Sequence, residues 1–310
     1  MRKTFNFQLF TETGNSNNNV RTYQQQFAGL LSAVYGYESY FNDFLPLQTL
    51  DGVKSSAIAF TVKNCNTAVT MGTYDTGANV AFGTGTGSTS RFGQRVEIKY
   101  TDVDVPYNWE WAYHEGIDRH TVNAEFDQVV AERLDDEAQA KVALFNAKQS
   151  AYISKNAGKT IAATAASLDS LTDKELIAIF DQLATYFTNI KVKKNLRKIA
   201  KVHPVVYNAI INSGLATTSK GSAVNIDANS ILRFKGFEIQ ELPEDAFQSG
   251  EYIYASVAGV GVAYTGIVTA RAIESEDFDG TALQGAGKAG EYITKDNLKA
   301  VAKVTLTKGA

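Results

Sequence analysis

The chain has 310 residues, 44% of them hydrophobic, enough for one large core or two ordinary ones. Thirty basic against 33 acidic residues leave a formal charge of -3, which excludes a global field drawing the chain to nucleic acid or to an anionic membrane; any DNA contact has to be local. A single cysteine, Cys65, excludes an intrachain disulfide and any multi-cysteine metal centre, fits a reducing cytoplasm, and reads as a half-buried strand residue.

The opening MRKTFNFQLF is too short and too interrupted in its apolar part for a signal peptide. No run approaches the ~18 apolar residues of a membrane span, so a soluble chain without membrane contact is expected. Residues 11–26, TETGNSNNNVRTYQQQ, are polar and turn-prone and do not fold by themselves. Aromatic side chains then crowd into FAGLLSAVYGYESYFNDFLPL (27–47), where Tyr35, Tyr40 and Phe41 are candidates to lie on another surface. An arm that needs a partner is the simplest account.

Strand chemistry dominates SAIAFTVKNCNTAVTMGTY (56–74) and QRVEIKYTDVDV (94–105), which are rich in β-branched and aromatic residues with partial alternation. Between them lies FGTGTGSTSRFGQR, so the two read as a long β-hairpin with a glycine-rich tip carrying Gly83, Gly85, Gly87, Arg91 and Arg95. VPYNWEWAYHEGIDRHTVN (105–123) reads as a turn segment. After it, Val122, Phe126, Val129, Val130, Leu134, Ala138, Val142, Phe145 and Tyr152 form one apolar stripe, predicting a helix from Val122 to about Asn156 with Thr121 as N-cap and Gly158 at the C-cap. A helix of about 35 residues would run ~50 Å.

AGKTIAATAAS reads as a small-residue linker. Thr172 and Glu175 then make a capping box, with Leu171 and Leu176 placed for a hydrophobic staple, at the start of a second helix. KIAKVHPVVYNAIINSG predicts a strand broken by Pro204 and a short helix; ILRFKGFEIQELPE, EYIYASVAGVGVAYTG and the terminal VAKVTLT predict strands. Strands and helices mix without βαβ alternation, which argues an α+β fold and against a doubly wound enzyme.

Three glycine-rich stretches imitate nucleotide loops. The tip carries Ser88 where the dinucleotide fingerprint needs its third glycine and leads into strand-like sequence rather than a helix. QGAGKAG (284–290) has Ala282 and Ala289 where a P-loop needs Gly and Ser or Thr, and GVGVAYTG (259–266) has Tyr264 at the last glycine position. In all three, glycines that permit turns or close packing are the better account. His114-Glu115 resembles a zincin start, but Asp118 occupies the place of the second histidine. His203 has no evident partner, EDFDG and RLDDE read as solvated faces, and no catalytic, cofactor-binding or metal-ligating set emerges. The basic run KVKKNLRKIAK (191–201) reads as a solvated helix face or one side of a subunit interface, with non-specific phosphate contact as the alternative.

The order of parts resembles the major capsid proteins of tailed bacteriophages, which share the Hong Kong 97-type fold. More locally, TDVDVPYNWEWAYHEGIDRHTVN running into EFDQVVAERLDDEAQA is similar to capsid proteins of siphophages infecting lactic-acid bacteria and streptococci. The resemblance implies an N-arm at 1–48, an E-loop at 51–104, a peripheral domain with its spine helix at 105–160, an axial domain at 162–232, and strands at 233–310 returning through both. It implies a structural protein, not an enzyme, that self-assembles into hexamers and pentamers of an icosahedral shell. That shell is assembled in the host cytoplasm with a separate scaffolding protein and a portal, and encloses double-stranded DNA touched only weakly. On this reading Gly83, Gly85, Gly87, Arg91, Arg95, Tyr35, Tyr40 and Phe41 are inter-subunit contacts. The alternatives are an encapsulin-like nanocompartment shell, which resembles the same fold, and, more remotely, a nucleotide-dependent enzyme.

Overall fold

The computed structural model describes residues 39–50, 58–81, 90–121, 126–213, 224–225, 230–231 and 233–309, apart from Asn66, Ala68, Asn79 and Gln94. Two compact units emerge, one formed by residues 53–107 and the other by the remainder.

In the smaller unit, β2 (Ile58–Cys65) pairs antiparallel with β3 (Tyr100–Pro106), Cys65 opposite Tyr100 and Phe60 opposite Val105. The expected hairpin is therefore present, but its regular ladder is shorter than the β-rich sequence suggested. Described residues between 67 and 99 form turns and extended chain, held by the Asp75 amide donating to the Arg91 carbonyl (2.9 Å) and by Tyr74 edge-on to Phe92. Cys65, at the strand's end, is exposed rather than half-buried.

The larger unit is built on two sheets. The first has the order β1 (Leu47–Thr49), β12 (Val262–Glu274), β13 (Gly280–Tyr292), β4 (Trp109–Asp118). The stretch expected as a turn segment is thus a ten-residue edge strand. Its sequence WEWAYHEGID alternates, with Trp109, Trp111, Tyr113, Glu115 and Ile117 on one face, and that face meets the long helix α1 (Phe126–Asn156). The 31 residues of α1 span about 46 Å. Residues 122–125, including the expected start at Val122, lie outside the described residues.

The second sheet runs β5 (Lys159–Ala165), β14 (Val301–Lys308), β11 (Glu251–Val257), β6 (Lys198–Val202), β10 (Phe237–Glu241), β9 (Arg233–Phe234). Two short strands, β7 (Val224–Asn225) and β8 (Ser230–Ile231), pair with each other, antiparallel. The small-residue stretch read as a linker is β5, parallel to β14 in register from Lys159 with Ala302 to Ala165 with Lys308. Gly158 serves close approach rather than a left-handed cap: a Cβ there would strike the Leu298 carbonyl, which accepts the Gly158 amide proton at 3.1 Å. Between β9 and β10, Lys235 (φ 49°) and Gly236 (φ 86°) make the two positive-φ positions of a tight hairpin turn.

Helices α2 (Asp173–Asn189) and α3 (Pro204–Asn212) cover one face of the six-stranded sheet. The capping box is present as expected, with Thr172 Oγ1 accepting from the Glu175 amide while Glu175 Oε2 accepts from the Thr172 amide at 2.8 Å; Leu171 and Leu176 are buried in one cluster. Three hydrogen bonds from Thr172 and Ala166 hold the Glu175 carboxyl below its usual range. Thr172→Ala is expected to cost about 1 kcal/mol, read as a lower urea midpoint at unchanged slope. His203 caps α3, its Nδ1 accepting from the Val205 amide, with Pro204 at the first helical position.

Alternation along β6 divides its side chains between two cores. Ala200 and Val202 join the cluster under α2 and α3, whereas Ile199 and Lys201 face the opposite side, where Phe41, Phe44, Tyr254 and the end of α1 pack.

Candidate functional site

Of the residues expected to contact other subunits, Tyr35, Gly83, Gly85 and Gly87 lie outside the described residues. Arg91 donates from Nε to the Val80 carbonyl (3.3 Å) and lies 6.0 Å from the Tyr74 ring, so it braces its own hairpin. Arg95 is exposed and makes no ion pair among the described residues. Around them Val69 is 87% exposed, Met71 88% and Phe92 83%. Isolated exposed apolar residues are ordinary, but several on one extended hairpin mark a surface suited to a partner.

The arm reading is corrected for residues 39–47. Tyr40 stays at the surface, its amide donating to Asn146 Oδ1 (3.0 Å). Phe41, Phe44 and Leu45, however, are fully buried in their own chain, Phe41 against Tyr254 and both phenylalanine rings over the Lys201 ammonium at 5.9 and 5.1 Å. Phe41 therefore has no free surface for a neighbour.

The basic run is corrected too. It forms no helix face: it crosses a turn into β6, and Lys201 is 1% exposed. Its ammonium lies 3.8 Å from Asp43 Oδ2 and donates to Gln240 Oε1, while Arg197 forks onto Glu238 at 2.7 and 3.0 Å. Burial pushes Lys201 down to about 8 although Asp43 and Glu238 favour its charge. The cations of the run that remain exposed are Lys191, Lys193, Lys194 and Arg197, the last already forked onto Glu238.

Neither carboxylate group read as solvated is wholly so. Asp279 of EDFDG pairs with Arg119 (3.2 Å) and His120 (3.3 Å). In RLDDE, Glu137 points into the α1–β4 seam and is 7% exposed, beside Tyr113 and Lys141. Another buried carboxylate, Glu251, would be raised by burial, but hydrogen bonds from Lys303 (2.7 Å), Tyr254 (2.6 Å) and Ser154 (2.7 Å) hold it below the usual range. Sequence periodicity missed these polar members of buried faces.

The enzyme look-alikes find structural explanations. QGAGKAG is the interior of β13, paired on both sides, so its amides are committed to ladders rather than free to cradle phosphate. Gly285 and Gly287 lie opposite Tyr113 and Trp111, whose rings stack at an interplanar angle of 15° flat over them. GVGVAYTG turns at Gly259 (φ 67°) and packs Gly261 against Ile293 and Leu45. His114 sits on a strand, facing Gln284, so the helical register of a zincin does not exist there. Among the described residues no cluster of His, Cys, Asp and Glu could hold a metal ion, and no helix is long and apolar enough to cross a membrane.

No protein-family model and no curated protein matches the chain in sequence. Solved structures do match in fold. The capsid structure of the cyanophage P-SCSP1u is similar with a TM-score of 0.66 at 10% identity, over 87% of this chain and 89% of that one. The mature capsid of bacteriophage PhiM1 is similar with a TM-score of 0.63 at 12% identity, over 98% and 92%. A virus-like particle from Pyrococcus furiosus is more distant, with a TM-score of 0.52 at 12% identity over 91% and 99%. The chain thus has the mixed α+β fold of tailed-phage capsid proteins.

Proposed function

We propose that this chain is the major capsid protein of a tailed phage, self-assembling into hexamers and pentamers of an icosahedral head around double-stranded DNA. The observation that carries the proposal is fold likeness to phage capsids over about nine-tenths of both chains. In this reading residues 1–48 are the N-arm, its end at 39–47 anchored in its own chain, 51–104 are the E-loop, and α1 is the spine of a peripheral domain containing the four-stranded sheet. The axial domain, expected at 162–232, is completed by β5, β9–β11 and β14 of the six-stranded sheet. A scaffolding protein, a portal and assembly in the host cytoplasm belong to the same proposal, and kinship with siphophages of lactic-acid bacteria and streptococci rests on the segment 101–140. The protein is a shell, not an enzyme, and its work is interface energy.

The virus-like particle favours a second reading, a nanocompartment shell, at a lower structural similarity. Electron microscopy of the purified protein tests both. Closed particles holding DNA are expected; protein cargo would select the second reading, and a small oligomer that never closes, with or without a scaffolding protein, would remove both.

The E-loop would reach a neighbour through its exposed apolar side chains, with Arg91 and Arg95 pairing with that neighbour's carboxylates. Arg95→Glu is the cleaner variant, because Arg91 also braces the hairpin. It is expected to lower particle yield several-fold while leaving the circular dichroism of the unassembled subunit unchanged; normal yield counts against the contact.

A further inference from the structure

Between β4 and α1 lies a cleft of about 210 Å³, lined by Trp111, Tyr113, Glu115, Arg133, Glu137 and Lys141, with Leu144 beside it. Glu137 is 7% exposed, yet neither of its carboxylate oxygens meets a hydrogen-bond partner among the described residues, and the Tyr113 hydroxyl has none either. Tyr113 couples to Glu137 and is the nearest group that offers it a donor, although no close hydrogen bond forms between them. The two local cations are engaged elsewhere. Arg133 forks onto Glu115 at 2.5 and 2.7 Å, and Lys141 rests over the Trp111 ring at 4.3 Å.

A carboxylate buried with so weak a donor is costly to the isolated subunit, which points to a second donor arriving from outside. The space suits one long side chain rather than a folded segment. Two adjacent unmatched oxygens fit the parallel N–H pair of a guanidinium, and Trp111, Ala140 and Leu144 offer apolar wall for its methylene stem. We propose that this cleft is a socket for a basic side chain of a second copy of the chain, an arginine that displaces the side chains sealing the Glu137 oxygens from solvent and closes on both as subunits assemble. The inference rests on the shell reading and names one contact within it.

The groups facing Glu137 are Tyr113, Glu115, Arg133, Asp136 and Lys141. Burial pushes its carboxyl up to about 7; the Tyr113 hydroxyl and Arg133 oppose that rise and Glu115 adds to it. The cation binds the ionised form, so this contact strengthens as pH rises from 6 to 8.

The test compares the full-length chain with Glu137→Gln and Glu137→Leu, measuring by light scattering the threshold concentration for particles at pH 6 and pH 8, and the unfolding temperature of dissociated subunits. The variants' subunits are expected to unfold at or above the wild-type temperature, because an unmatched charge is gone. Their threshold at pH 8 is expected to rise about tenfold or more, with its pH dependence lost. An image of the wild-type particle should place a neighbour's arginine or lysine on Glu137, and it decides the matter if the variants fail to fold. A Glu137→Gln chain assembling at the wild-type threshold overturns the socket alone, as does a particle whose cleft holds only water or its own chain. Failure of the wild type to assemble with or without a scaffolding protein overturns the shell reading and the socket with it.

Discussion

Replacing Gly287 by valine is expected to destabilise the subunit by roughly 3 kcal/mol, the upper end for overpacking a core, and to abolish particles. A Cβ at Gly287 would sit 2.6 Å from two carbons of the Trp111 ring. That ring is 7% exposed, stacked on Tyr113 and capped by Lys141, so it has nowhere to retreat. Any shift would pass to α1 through Phe145 and Val142, which share the Trp111 cluster. Against a typical stability of about 5–15 kcal/mol, such a loss leaves few folded subunits under mild denaturant. Gly72 is the matched control, because a Cβ there meets nothing within 4 Å; Gly72→Ala should stay within about 0.5 kcal/mol. Urea midpoints of the two variants check the pair, and a Gly287→Val chain as stable as wild type would show that the rings do not need the bare backbone.

Gly287 also marks how far the sequence is legible. The glycines of QGAGKAG signal close approach, but what approaches them is Trp111, about 175 residues earlier along the chain, and only strand pairing brings it there. Local signals read well: the Thr172 capping box, the Pro204 break and the apolar stripe of α1 all have their cause within a few residues. Signals that depend on distant partners read poorly. β5 is a row of small residues whose strand conformation is fixed by parallel pairing with the last strand of the chain. β4 carried a period-2 pattern of rings in WEWAYHEGID, and that alternation was sufficient evidence for a strand. The buried stripe of α1 includes Glu137, Asn146, Gln149 and Ser150, which hydrophobic periodicity passes over because it scores only apolar residues. The socket at Glu137 was invisible for that reason. Lys201 was hidden among five other basic residues, and only its parity on β6 separates it from them.

Lys201 yields the other large effect. Lys201→Ala is expected to cost about 2–5 kcal/mol, as for other large-to-small changes in a core, because the side chain fills the space beneath Phe41 and Phe44. Lys201→Met keeps that volume and removes the charge. Asp43, its carboxylate partner, is 38% exposed and still accepts from Gln240 Nε2 at 2.8 Å, so it is not stranded; this variant should lie within about 1 kcal/mol of wild type. The pH dependence distinguishes charge from packing. The ammonium moves from an ordinary 10.5 in the unfolded chain to about 8 in the fold, so between those values the unfolded state binds more protons. Stability therefore rises with pH across that window, the charged form imposing its full cost below about 8. The facing pair Glu238 and Arg197 keeps its charges throughout it, because each holds the other's charged form. From pH 7.5 to 10 the wild type should gain about 2 kcal/mol relative to Lys201→Met, measured as the difference between their urea midpoints, which cancels the titration of tyrosines common to both. Equal slopes for the two proteins would mean that the Lys201 amine reaches water more freely than its cage of two rings, a carboxylate and an amide allows.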